Sequence, residues 1–63
     1  MKAVDAAVAA GVTLQTIHRM VERGDLSGAR AGVAWYVRLD SLLEYYAEAP
    51  PILARVKALA EAQ

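Results

Sequence analysis

The sequence has 63 residues, with seven basic and seven acidic side chains and no cysteine. Its length allows one small domain, and the lack of cysteine excludes disulfide bonds, thiolate metal sites and a cysteine nucleophile. No apolar run reaches the roughly 20 residues that cross a bilayer, and the N-terminus lacks the apolar core of a signal peptide, so we expect a cytoplasmic protein without a membrane partner.

Residues 3–24 have the pattern of two short helices joined by a tight turn. The first helix should span Val4–Ala10 and end at Gly11, which adopts a left-handed conformation without strain. Thr13 is then a good N-cap for a second helix that stops at Gly24. Two helices so close in sequence must cross steeply. That geometry is typical of a helix-turn-helix, whose second helix can enter the major groove of DNA.

Residues 25–39 have the alternation of a β-hairpin. Apolar and polar side chains alternate over Trp35–Leu39, and the segment from Leu26 to Arg30 is the expected partner strand. The turn should then lie near Ala31–Ala34. A hairpin directly after a helix-turn-helix is a wing.

Residues 40–63 should form two helices. Asp40 is the expected cap of a third helix over Ser41–Ala49, which Pro50 and Pro51 should break. Pro51 suits the first position of a fourth helix. The apolar stripe of that helix contains Ile52, Leu53, Val56, Leu59 and Ala60. It either closes over the domain or serves self-association or a protein partner through Ile52, Val56 and Leu59.

These patterns predict a mainly α-helical fold with a small β-hairpin, a winged helix-turn-helix that occupies the whole chain as one domain. The larger core candidates are Val4, Val8, Val12, Ile17, Met20, Val21, Leu26, Trp35, Val37, Leu39, Leu42, Leu43, Tyr45 and Tyr46. Val12 is expected to fill the gap between the first two helices. Trp35 is expected in the core rather than as a wedge between bases, because the chain has few other large side chains.

Four groups of short motifs follow one another along the chain: Asp5-Ala6-Ala7 before Gly11-Val12-Thr13, then Thr16-Ile17-His18-Arg19, then Arg23-Gly24-Asp25-Leu26, then Arg30, Gly32 and Trp35-Tyr36-Val37 before Asp40. In this order they resemble the excisionase and MerR-like winged helix-turn-helix family, over Ala3 to about Ala47. One departure is Val33-Ala34, where wings of that family often carry arginine or lysine.

The resemblance implies a double-stranded DNA partner and a role in transcription regulation or site-specific recombination, often as dimers or arrays. The same fold also serves the DNA-recognition subunits of phage packaging motors, which is the alternative within DNA binding. A different class of alternative is a protein-interaction module that has lost DNA binding.

The second helix carries most of the candidate DNA contacts. Gln15 is placed to read a base edge, and Arg19 to bind guanine or phosphate. His18 and Arg23 share this polar face. Thr13 and Thr16 either donate to phosphate or act only within the helix cap. Leu14 either touches a thymine methyl group or packs on the turn.

The wing offers three further candidates. Arg30 and Arg38 bracket it, and each either contacts phosphate or forms a salt bridge with an acid such as Asp25, Asp40 or Glu44. Tyr36 alternates away from Trp35 and is a candidate phosphate contact.

The chain has one histidine and no nucleophile–base pair, paired acids or phosphate-binding loop, so we expect neither an enzyme nor a cofactor or metal site. Its zero net charge disfavours strong non-specific DNA binding. However, four arginines fall between residues 15 and 38, and a neutral protein can present a basic face there. A neutral domain with one recognition helix is expected to act cooperatively.

Overall fold

A computed structural model of the protein describes residues 1–62, and this part of the chain forms four helices and one antiparallel hairpin. In chain order they are α1 (Ala3–Ala10), α2 (Leu14–Arg23), β1 (Gly28–Ala31), β2 (Ala34–Val37), α3 (Leu39–Tyr45) and α4 (Pro50–Ala62). The predicted winged helix-turn-helix is confirmed, with the hairpin between α2 and α3. Gln63 lies outside the described residues. No helix within residues 1–62 is long and apolar enough to cross a membrane.

The tight turn between α1 and α2 follows from the local sequence. Gly11 ends α1 in the left-handed conformation, with φ 71°. Thr13 caps α2 as predicted, because its side-chain oxygen accepts a 3.2 Å hydrogen bond from the backbone N–H of Thr16. Gly24 ends α2, also in the left-handed conformation, with φ 86°. The helices therefore have the boundaries that the capping signals predicted, apart from the start of α1 at Ala3.

The core surrounds the alanine face of α1. Ala6 and Ala9 have no exposed surface, and the other α1 alanines are also buried. The small side chains let α2, α4 and β2 approach α1 closely, and α1 contacts all three. The largest fully buried side chains come from the segments around α1: Ile17, Leu26, Val37, Leu42 and Val56.

Five of the predicted core residues are instead exposed: Val4, Val8, Val12, Leu39 and Tyr45. On α1 the alanines recur at helical spacing and occupy the inward face, so Val4 and Val8 fall on the outward face. Val12, in the turn between α1 and α2, is 37% exposed and so is not part of the buried core. Trp35 is only partly buried, at the edge of the core.

The hairpin is shorter than predicted. β1 and β2 pair from Gly28 opposite Val37 to Ala31 opposite Ala34, and the turn contains Gly32 in the left-handed conformation. Leu26 is buried before β1 begins, and the backbone after Val37 turns directly into α3, which removes Leu39 from the strand. The other edge of β2 is paired too, since Lys2 forms an isolated antiparallel bridge with Tyr36.

The third helix starts earlier and ends earlier than predicted. Arg38, not Asp40, is the N-cap residue, and Asp40 lies in the first turn, where an acidic side chain suits the helix dipole equally well. The helix ends at Tyr45, before the two prolines. Pro50, rather than Pro51, then begins α4.

The apolar stripe of α4 packs within the chain. Val56 is fully buried, and Ile52 and Leu59 are partly buried against the same core. α4 contacts α1 and, to a lesser extent, α3. The stripe therefore closes over the domain, which is the first of the two arrangements expected from the sequence.

Candidate nucleic-acid interface

α2 separates a buried face from an exposed polar face. Ile17 and Met20 are buried, and the opposite side of the helix carries exposed Gln15, Arg19 and Glu22. Within the described residues, none of these three polar side chains has a hydrogen-bond or ion-pair partner. The outward face of α2 is therefore free to bind a ligand.

The N-terminus of α2 is open and contains no acidic residue in its first turn. The hydroxyl oxygens of Thr13 and Thr16 lie 2.9 Å apart and share a hydrogen bond, in addition to the bond that Thr13 accepts from the backbone N–H of Thr16. Leu14 is 40% exposed. The partial positive charge of the helix N-terminus would attract phosphate to this end of α2.

Two of the candidate arginines, one at the end of α2 and one after β2, are already paired with carboxylates. Arg23 forms a 2.6 Å salt bridge with Asp25, and Arg38 binds both oxygens of Asp40 at 3.1 and 3.0 Å. The hydrogen bond and charge of Asp40 raise the pKa of Arg38, and the same hydrogen bond holds the pKa of Asp40 below its usual range. One of the acids expected to pair with Arg38 is therefore its partner, and the DNA contact of Arg38 stays a prediction.

Arg30 lies on the hairpin face that is turned towards α2. It pairs across the strands with Trp35, and cross-strand partners project from the same face of a hairpin. Its Nε donates a 2.9 Å hydrogen bond to the carbonyl oxygen of Gly32, which holds the guanidinium at the turn. No carboxylate pairs with Arg30 within the described residues.

Tyr36 and Arg38 lie on the other face of the hairpin. Successive residues of a strand project to opposite faces, so Tyr36 projects away from Trp35. Tyr36 and Arg38 line a surface cleft of about 480 Å³ together with Met1, Gly28 and Leu39. The structure thus places Arg30 on the hairpin face that contacts α2, and Tyr36 and Arg38 on the opposite side. As DNA contacts, all of these residues stay predictions.

One contact of this surface was not predicted from the sequence. The rings of His18 on α2 and Trp35 on β2 stack, with centroids 4.6 Å apart and planes inclined by 28°. The two residues belong to different elements, and no local pattern pairs them. His18 is therefore partly covered rather than freely exposed on the polar face.

No curated protein and no solved structure matches the chain significantly. The sequence profile of the helix-turn-helix domain family does match, over residues 1–50, which is more than half of the chain. This range contains α1, α2, the hairpin and α3. The order of these elements and the free polar face of α2 agree with the match, and the chain belongs to this family of DNA-binding helix-turn-helix domains.

Proposed function

We propose that the protein is a sequence-specific DNA-binding factor of the excisionase-like or MerR-like type, which acts in transcription regulation or site-specific recombination. The main support is the exposed face of α2, where Gln15 and Arg19 have no hydrogen-bond or ion-pair partner among residues 1–62. Glutamine and arginine are the side chains that read adenine and guanine through two hydrogen bonds each. The N-terminal part of a recognition helix is where such contacts are made.

We further propose that several copies act together on neighbouring sites. Among the arginines of α2 and the hairpin, Arg19 and Arg30 lack a carboxylate partner in the described residues, so one copy neutralises few phosphates. One recognition helix also buries little surface on DNA. Since Ile52, Val56 and Leu59 pack within the chain, contacts between copies would use a different surface.

Selection from a random duplex library, followed by fluorescence anisotropy on the selected sequence, tests this proposal. Arg19→Ala should weaken the affinity by about 5- to 150-fold, the equivalent of about 1–3 kcal/mol. Lys57→Ala is the matched control, because it removes the same charge from an exposed site on α4. It should leave the affinity within about twofold. Circular dichroism would verify that both variants are folded.

A wild-type protein that binds no duplex even at low salt would contradict DNA binding and favour a protein-interaction module. Equal affinities for wild type and Arg19→Ala would instead remove Arg19 from the interface. The genes beside the coding sequence separate the biological roles. An integrase supports excision, whereas a large packaging ATPase supports a role in phage DNA packaging.

A further inference from the structure

α2 and the hairpin touch at two points that are one helical turn apart. His18 stacks on Trp35, and Val21 lies against Gly28, where an added Cβ would stand 3.3 Å from the Cγ2 of Val21. α2 has few close backbone contacts with either strand. The base of the hairpin is also held by α1 and by the bridge to Lys2, and the side-chain contacts with α2 add the constraint that sets the wing beside this helix.

The two contacts also set the relative direction of α2 and the hairpin. Gly28 pairs with Val37 at the base of the hairpin, whereas Trp35 is closer to the turn. Because His18 precedes Val21, the N-terminal half of α2 lies beside the half of the hairpin that contains the turn. This places the exposed N-terminal half of α2 on the same side of the molecule as the wing tip.

Arg30 is the basic residue that this arrangement brings to the wing tip. It is the cross-strand partner of Trp35, so both side chains leave the same face of the hairpin. The hydrogen bond from its Nε to Gly32 engages one donor of the guanidinium and leaves the terminal N–H groups for another acceptor. Phosphate oxygens are the acceptors that arginine most often meets on DNA.

We propose that His18 and Trp35 are a positioning pair that holds Arg30 beside α2, so that Arg30 and Arg19 contact the same DNA site. This inference rests on the proposed DNA-binding function. Neither ring needs to touch DNA for this role, because the stack sets where the wing lies and Arg30 makes the contact. Arg19 does not depend on the stack, since Ile17 and Met20 anchor α2 in the core.

A double-mutant cycle in DNA affinity tests the positioning role on the selected duplex. In the wild-type background, Arg30→Ala should weaken binding by about tenfold, and in the Trp35→Ala background by less than about twofold. Arg19→Ala should cause the same loss in both backgrounds. A general loss of stability in Trp35→Ala would lower every affinity alike and would leave the ratio for Arg30→Ala unchanged.

His18→Ala also removes the ring stack, and it replaces Trp35→Ala in the cycle if the Trp35→Ala variant does not fold. If Arg30→Ala reduces the DNA affinity by the same factor whether or not the ring stack is present, the inference is overturned while the proposed DNA binding stands. An Arg30→Ala variant that binds like the wild type would also overturn it. A wild-type protein that binds no duplex would contradict the proposed function itself, and with it the inference.

Discussion

Arg55 of α4 donates a 2.7 Å hydrogen bond from its Nε to the carbonyl oxygen of Ala9 in α1. Ala9 lies in the last turn of α1, where carbonyl groups have no partner within the helix. The bond therefore satisfies an unpaired carbonyl at the C-terminus of α1, and it fastens α4 to that helix at the same point.

We expect Arg55→Ala to lower the free energy of unfolding by about 1–3 kcal/mol, because it removes a charge-assisted hydrogen bond and leaves the Ala9 carbonyl without its partner. Urea unfolding followed by circular dichroism measures the loss. Lys57→Ala, two residues further along α4, removes an exposed charge without such a bond and should change stability by less than about 0.5 kcal/mol. Equal losses in the two variants would show that the bond to Ala9 contributes nothing.

Val56→Ala should destabilise the protein by about 2–3 kcal/mol, since the valine is fully buried and its removal leaves a cavity. Val8→Ala makes the same substitution on the exposed face of α1 and should be close to neutral. Thermal unfolding of both variants and the wild type at several protein concentrations gives a second result. A melting temperature that rises with concentration in the wild type but not in Val56→Ala would indicate that α4 stabilises the protein through self-association, contrary to its packing within the chain.

Gly28→Ala should destabilise the hairpin by about 1–3 kcal/mol, because there is no room for a side chain at this position. An added Cβ would collide with the carbonyl oxygen of Tyr36, which is backbone and cannot move aside easily. Ala29→Ser alters the neighbouring, exposed position and is the control. Thermal melts compare the two variants, and a Gly28→Ala variant as stable as the wild type would show that β1 and β2 can separate slightly without cost.

Acid should weaken the contact between Arg38 and Asp40 at the start of α3. The hydrogen bond from Arg38 lowers the pKa of Asp40 in the folded protein. The pair therefore stabilises the fold above the unfolded-state pKa of Asp40, and this contribution disappears as the pH falls through the lower, folded-state pKa.

Both side chains of this pair are largely exposed, so solvent screens the effect and it should be small. Melting temperatures recorded from neutral to strongly acidic pH should fall slightly more for wild type than for Asp40→Asn. High salt should reduce the difference. Parallel curves for the two proteins at low salt would contradict a stabilising role for this pair.

Local signals in the sequence are sufficient to predict the helix-turn-helix. Thr13 and Gly24 mark the two ends of α2 through capping chemistry that involves only neighbouring residues. The start of α3 was misplaced because an acidic side chain is favoured both at the N-cap and in the first turn, so the position of Asp40 alone does not distinguish them.

The core of α1 and the stack of His18 on Trp35 depend on how the elements pack against one another. The size of their side chains makes Val4 and Val8 core candidates. In the structure the alanines of α1 are buried instead, because small side chains let the neighbouring helices approach closely. The stacked rings meet only after the hairpin has folded back along α2. Neither feature has a signal at short range in the sequence.

The alanine face of α1 has a consequence for how this protein can be altered. A larger side chain on that face would press on the elements packed there, because α1 contacts α2, α4 and β2 through its alanines. Gln15, Arg19 and Glu22 have exposed side chains outside the buried core. The outward face of α2 can therefore be varied at these three positions while α1 is left unchanged.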